Sequence, residues 1–320
     1  MCALASFPRL YPDELLYSGL ARYHIRSGNQ SFRQTDLDLF GYSSQQACRV
    51  TLTNNLKGLV KQIAHISDYR VRWLMENHTL YPFYAAFLTP IETRKLESAT
   101  IEKRSGSILE QARVDLDSTN DRRKYIKFCP ECFDTEVEQY GEPYWHRSHQ
   151  IPGVIICTKH KILLLDSTVL TDGHGIHYYA LNRDCCSIDT TPQVEIEPGH
   201  REHLLGIAAD LEWLMQVRID FRGMVWLRDC HITELCRQGS VKKLLRERLK
   251  FDEPVLYQSF CAFYGVDCLN AIEPRFKQTE GKYLIHCLFA GDIDPKIDRV
   301  AHVLIARYLF GSIDNIFTLQ

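Results

Sequence analysis

The chain has 320 residues, with 38 Lys+Arg against 40 Asp+Glu, and is 45% hydrophobic and 24% charged. These values match an average globular protein and exclude a wholly disordered or fibrous chain. A formal net charge of −2 excludes a uniformly basic coat but leaves room for local basic patches.

The length suggests two or three domains. Met1–Pro8 lacks the charged and apolar stretches of a leader. No run approaches the roughly 18 apolar residues of a membrane span. The expectation is a cytoplasmic chain with reduced thiols and no membrane partner.

Pro12-Asp13-Glu14 followed by Leu15, Leu16, Leu20 and Tyr23 predicts a helix with acids in its first turn, broken at Gly28-Asn29. Ser31 caps a second, short helix through Phe32, Leu37 and Phe40 that ends at Gly41. A third is expected from Ser43-Ser44 through Val50, Leu52 and Leu56 to Ile63. Three short helices with tight turns fit a helix-turn-helix-like unit, as they would any small helical bundle. Further helix is expected around Val71–Met75 and Pro82–Leu88.

Residues 100–127 are polar and close with Arg122, Arg123, Lys124 and Lys127, which reads as a boundary. Residues 128–190 are richer in Gly, Pro, Cys, His and Tyr, with short strands expected at Val154–Ile156 and Ile162–Leu165. Residues 171–200 are loop-like, and helical spacing returns from His200 to Val217. Helices with breaks at Gly239, Pro254, Gly265, Pro274 and Gly281 follow. The last begins near Pro295 and stops at Gly311. The expected fold is mainly α. It has an N-terminal helix-turn-helix-like domain over 1–120, a small zinc-binding α/β module over 121–195 and a C-terminal helical domain over 196–320.

Twelve cysteines are many for a reduced chain. The strongest chemical signal among them is Cys129-Pro130-Glu131-Cys132 and, further on, Cys157-Thr158-Lys159-His160. Two residues between ligands let both side chains of a tight knuckle point at one ion, and two knuckles complete a tetrahedral zinc sphere. Four protein ligands leave no position for water, so one structural Zn2+ is expected. Cys129, Cys132, His146 and His149 form a competing set whose histidine spacing is one residue short of the usual finger. It would leave Cys157 and His160 unexplained at knuckle spacing. A second zinc would need Cys185 or Cys186 with His174 and His177. Cys230, Cys236, Cys261, Cys268 and Cys287 lie in apolar helical contexts and read as core thiols.

No phosphate-binding glycine loop, dinucleotide fingerprint, nucleophile elbow or H-E-x-x-H is present, so the expectation is a non-enzyme. A zinc-dependent hydrolase or nuclease is the contrasting reading, and it would require an open metal position. Residues 218–250 concentrate positive charge: Arg218, Arg222, Arg228, Arg237, Lys242, Lys243, Arg246, Arg248 and Lys250 stand against Asp220, Asp229, Glu234 and Glu247. Val241–Leu249 reads as an amphipathic helix, with leucines on one face and cations on the other. That suits DNA phosphates, and equally a solvated surface. Arg122, Arg123, Lys124 and Lys127 form a second candidate DNA-binding patch beside the metal module.

Several stretches together resemble the TniQ/TnsD transposon target-selection family. They are Phe7-Pro8 with Tyr11-Pro12-Asp13-Glu14-Leu15-Leu16-Tyr17-Ser18, Glu76–Tyr84, and Phe128-Cys129-Pro130-x-Cys132 with Tyr140-Gly141-Glu142-x-Tyr144-Trp145-x-Arg147, Pro152 and Cys157-x-x-His160. The likeness is dense over residues 7–165. It is looser at Arg299–Ile305 with Phe310-Gly311, which looks like the TnsD branch. The resemblance implies a target selector: an N-terminal helix-turn-helix-like domain, zinc ligands at Cys129, Cys132, Cys157 and His160, and C-terminal helical DNA-binding domains. It implies that double-stranded attachment-site DNA is bound and the AAA+ ATPase TnsC recruited. In the TniQ branch of CRISPR-associated elements, docking on an RNA-guided effector takes the place of site recognition.

Overall fold

The computed structural model describes residues 4–42, 50–102, 108–114, 125–171, 177–187, 196–243, 249–289 and 296–318, the side chain of Lys243 excepted. The architecture is mainly helical. The N-terminal layer holds α1 (Leu16–Ser27), α2 (Phe32–Phe40), α3 (Leu56–Ile63), α4 (Val71–His78), α5 (Tyr81–Ala85), α6 (Pro90–Ile101) and α7 (Ile108–Gln111). The middle segment holds β1 (Tyr125–Phe128), α8 (Pro130–Tyr140) and β2 (Leu165–Leu170), with β1 antiparallel to β2. The C-terminal segment starts with α9 (Arg201–Trp213), α10 (Met224–Arg237) and the hairpin of β3 (Val241–Lys243) and β4 (Leu249–Phe251). It ends with α11 (Glu253–Tyr264), α12 (Val266–Ile272), α13 (Arg275–Gln278), α14 (Lys282–Phe289), α15 (Arg299–Phe310) and α16 (Ile313–Thr318). No helix among the described residues is long and apolar enough to cross a membrane.

Local rules set several boundaries. Ser31 caps α2 by accepting from the Gln34 N–H, and Gly41 ends it in the left-handed conformation. Gly28 and Gly311 end α1 and α15 in the same way. Two expected starts move. α1 begins at Leu16, because Asp13 takes a positive φ of 56° and Glu14 pairs in a β-bridge with His146. Their carboxylates serve tertiary partners, not the helix terminus. α3 begins after Asn55, whose side chain accepts from Gly58 N–H, so Val50 and Leu52 precede the helix, and residues 43–49 lie outside the described residues. α15 starts at Arg299, capped by Asp298, four residues past the expected proline.

Two further expectations, one strand and one helix, are also corrected. Val154–Ile156 is not a strand: Ile156 makes a single bridge to Leu163, and the pairing partner of β2 is β1, just ahead of the first cysteine knuckle. The expected helix over Val241–Leu249 is corrected at both ends, which form the paired strands β3 and β4, while residues 244–248 lie outside the described residues. Both ends of that segment alternate with period two, which suits a strand. Val241 is buried and Phe251 stacks on Phe289 at 4.9 Å, while Lys242 and Lys250 point outward.

The three segments interlock. Leu15 N–H donates to Trp145 C=O at 2.8 Å and Arg147 N–H to Asp13 C=O at 2.8 Å, so the start of α1 is stitched to the strand-like stretch after α8. Trp145 is fully buried and donates from Nε1 to Tyr179 C=O at 2.8 Å. Arg299, buried in α15, donates to the carbonyls of Tyr84 and Ala112. Phe87 packs against Phe221, Phe317 and His302, which joins the N-terminal helices to the C-terminal bundle.

Candidate metal centre

The first pair of candidate ligands sits where β1 hands over to α8. Cys129 is the N-cap, Pro130 occupies the first turn and Cys132 follows inside it. Proline is preorganised there, and the helix N-terminus favours a thiolate. The second pair sits on a tight turn. Lys161 N–H donates to Cys157 C=O at 2.7 Å and Cys157 N–H to Ile162 C=O at 2.8 Å, with Lys161 at a positive φ of 58°. This turn brings His160 over the thiols.

Cys129, Cys132, Cys157 and His160 place their donor atoms within 4.8 Å of one another. His160 Nδ1 lies 3.4 Å from Cys129 Sγ, 3.3 Å from Cys132 Sγ and 3.8 Å from Cys157 Sγ, and Cys132 and Cys157 sulfurs are 3.8 Å apart. A tetrahedron with zinc–ligand bonds of the usual length has edges of about 3.8 Å between sulfurs and about 3.6 Å from sulfur to nitrogen. The donor set therefore fits a four-coordinate ion of zinc's size and softness. Three buried thiols in contact also resist ionising together. Hydrogen bonds from Cys129 and Cys132 hold Cys157 well below the ordinary thiol range, and the same contacts push Cys132 up. A cation relieves that conflict.

The competing histidines have other work. His146 Nε2 bonds Glu136 and its Nδ1 lies 3.3 Å from Asp13 Oδ2. Burial opposes its charge, but these two carboxylates overcome the effect and raise His146 to about 9. Cys132, Glu136 and His146 form a second close group, which shares Cys132 with the first. His149 is buried with its ring 4.6 Å from that of His146. Spacing gave no hint of the carboxylates that hold His146, because Asp13 arrives from the far end of the chain.

Cys185 and Cys186 sulfurs are 3.8 Å apart, but among the described residues they join no metal-binding group, and His174 lies outside them. Cys268 and Cys287 are buried, as expected of core thiols, whereas Cys230, Cys236 and Cys261 are half-buried. Of the candidate DNA contacts, Lys127 lies in β1 opposite Asp166, with its backbone bonded on both sides by the Gln150 amide. Lys242 lies in β3, directly across from Lys250. Lys243 pairs in register with Leu249. Arg122, Arg123, Lys124, Arg246 and Arg248 lie outside the described residues, as does the Lys243 side chain.

Residues 5–164 match the family model described as TniQ, half of the chain, and the match contains all four candidate ligands. The chain belongs to the TniQ family. It is also similar to the transposon Tn7 transposition protein TnsD of Escherichia coli, 25% identical over 178 residues, which are 56% of this chain and 34% of that protein. The chain thus matches about a third of its TnsD relative's length. The TniQ match joins the N-terminal helices to the metal knuckles, the two parts that the Asp13–His146 and Leu15–Trp145 contacts stitch together.

Proposed function

We propose that this TniQ-family chain is a target-selection adaptor for transposition: it binds double-stranded attachment-site DNA and recruits the AAA+ ATPase TnsC, without catalysing a reaction itself. The observation that carries the reading is the TniQ match over residues 5–164, with likeness to a Tn7 transposition protein beside it. In this reading one Zn2+ on Cys129, Cys132, Cys157 and His160 is structural, since four protein ligands close its sphere. The ion ties β1 and α8 to the 157–160 turn. It works in the cytoplasm through three units, 1–120, 121–195 and 196–320.

The DNA-facing candidates are the basic stretches. The β3–β4 hairpin supports one of them: Val241 and Phe251 pair on its inward face, and Lys242 and Lys250 stand side by side on the outward face. Like charges directly opposite repel, and a phosphate between them removes the penalty. Lys127 fits less well, since it faces Asp166. Arg122, Arg123, Lys124, Lys243, Arg246 and Arg248 complete the proposed set.

The test is a footprint of the chain on attachment-site duplexes, with and without TnsC. Protection of a discrete sequence that TnsC extends is the expected result. Capture of TnsC without protection of any duplex would favour docking on an RNA-guided effector. Failure of both would overturn the proposal. In the same assay, charge reversal by Lys242→Glu with Lys250→Glu should flatten the salt dependence of duplex binding by about two contacts' worth of slope. An unchanged slope would remove the hairpin from the interface.

A further inference from the structure

A cleft runs beside the metal centre, and the target-selection reading does not use it. One part, of 910 Å³, is bounded by the segment before α1, by α4, by the 157–160 turn and by the end of α9. A second part, of 530 Å³, continues between α4–α5 and residues 215–219. Asn77, Arg147, Met215 and Gln216 line both, so the two form one continuous channel across segments far apart in sequence.

The charges along it are uneven. Arg147 is engaged by Asp13 and the Glu76 carbonyl, and Arg72 by Glu76 and Glu97. Arg9, Lys159 and Arg218 also line the channel, are exposed, and have no ion-pair partner among the described residues. These three cations come from the N-terminal segment, the second metal knuckle and the stretch after α9. Apolar groups stand among them on the wall. Trp73 is 42% exposed and stacked on Tyr69 at 5.3 Å, and Val217 is 39% exposed. Large aromatic and aliphatic groups held open in a cleft are anchors for a ligand.

We propose that this channel is the docking groove for an extended, acidic and partly apolar peptide segment of a partner protein, with carboxylates meeting Arg9, Lys159 and Arg218 and apolar side chains covering Trp73 and Val217. Recognition of acidic motifs by spaced cations is a recurring mode of peptide binding. A nucleic acid suits the channel less well. The exposed Trp73 and Val217 offer apolar surface that a uniformly charged phosphate backbone would leave uncovered, whereas a peptide can alternate carboxylates with apolar side chains. The inference rests on the recruitment half of the proposed function, whose ATPase is the partner to test first.

The experiment uses the full chain with a photo-crosslinking phenylalanine in place of the exposed Asn77, mixed with TnsC and, separately, with duplex and single-stranded DNA. The expected product is a crosslink to an acidic TnsC segment. Lys159→Glu with Arg218→Glu should weaken TnsC binding at least about tenfold while leaving metal content and melting temperature unchanged. TnsC bound by the wild-type chain but crosslinked only from other positions, or bound equally well by the double variant, would overturn the groove and leave recruitment standing. A crosslink to DNA, or to a basic segment, would also overturn it. No binding of TnsC at all would overturn groove and recruitment together.

Discussion

Cys132 answers to two constraints at once. It lies in the first turn of α8, where the helix terminus favours negative charge, and its sulfur is in contact with both Cys157 and His160. Replacing it with Ser removes a soft ligand from a set of four and leaves the other thiols crowded. Cys132→Ser should lose the metal and loosen residues 125–170, because a structural zinc contributes on the order of 10–16 kcal/mol to such a module. Metal stoichiometry after dialysis and amide exchange of β1 and α8 check this. Stoichiometric zinc with native melting would refute the ligand set. This cluster was legible in the sequence because a two-residue gap is a local geometric statement. The partners of His146 were not legible, because Asp13 reaches it from the other side of the TniQ segment.

At the scale of elements, α1 shows how tertiary partners displace local signals. Its upstream acids look like first-turn residues, yet Glu14 is fully buried and bonded to Arg22, with Nη1 to Oε2 at 2.7 Å. Arg22 also reaches Glu142 with Nε at 3.0 Å, so one guanidinium ties α1 to the end of α8. Removing one partner strands a buried charge. Arg22→Met should destabilise the fold by about 3–5 kcal/mol, and Glu14→Gln added to it should recover part of that loss. Chemical denaturation of the single and double variants tests this, and additive losses would show that the two groups act independently. The β3–β4 hairpin teaches the same lesson in another form. Its leucines and cations also fit a helical face, and only the anchoring of Val241 in the core and of Phe251 on Phe289 selects period two.

Across the whole molecule, buried histidines couple stability to pH. Burial pushes His78, in the N-terminal layer, down to about 4, and His231, in the C-terminal bundle, down to about 3. Both titrate near 6.5 when unfolded. The unfolded chain therefore takes up protons that the folded chain excludes. The contribution of these two rings is complete above the unfolded value and falls as pH drops toward the folded ones, by up to about 1.4 kcal/mol per pH unit for each, while His146, raised to about 9, acts with the opposite sign and offsets part of the fall. Urea midpoints should fall between neutral pH and about pH 5, and His231→Asn should reduce that fall. Midpoints independent of pH would show that neither ring is buried neutral.

The sequence by itself determined the helical class, the caps at Ser31, Gly28, Gly41 and Gly311, and the four residues whose donor atoms gather in one cluster. Each is a local pattern whose outcome depends on spacing and backbone preference over a few residues. Only the tertiary structure decided that Asp13 and Glu14 leave α1 to serve His146 and Arg22, that Val241–Lys243 pairs with Leu249–Phe251, and that Arg9, Lys159 and Arg218 line one channel. Those outcomes depend on burial and charge pairing between residues distant in the chain, and no local pattern encodes which distant partner will arrive.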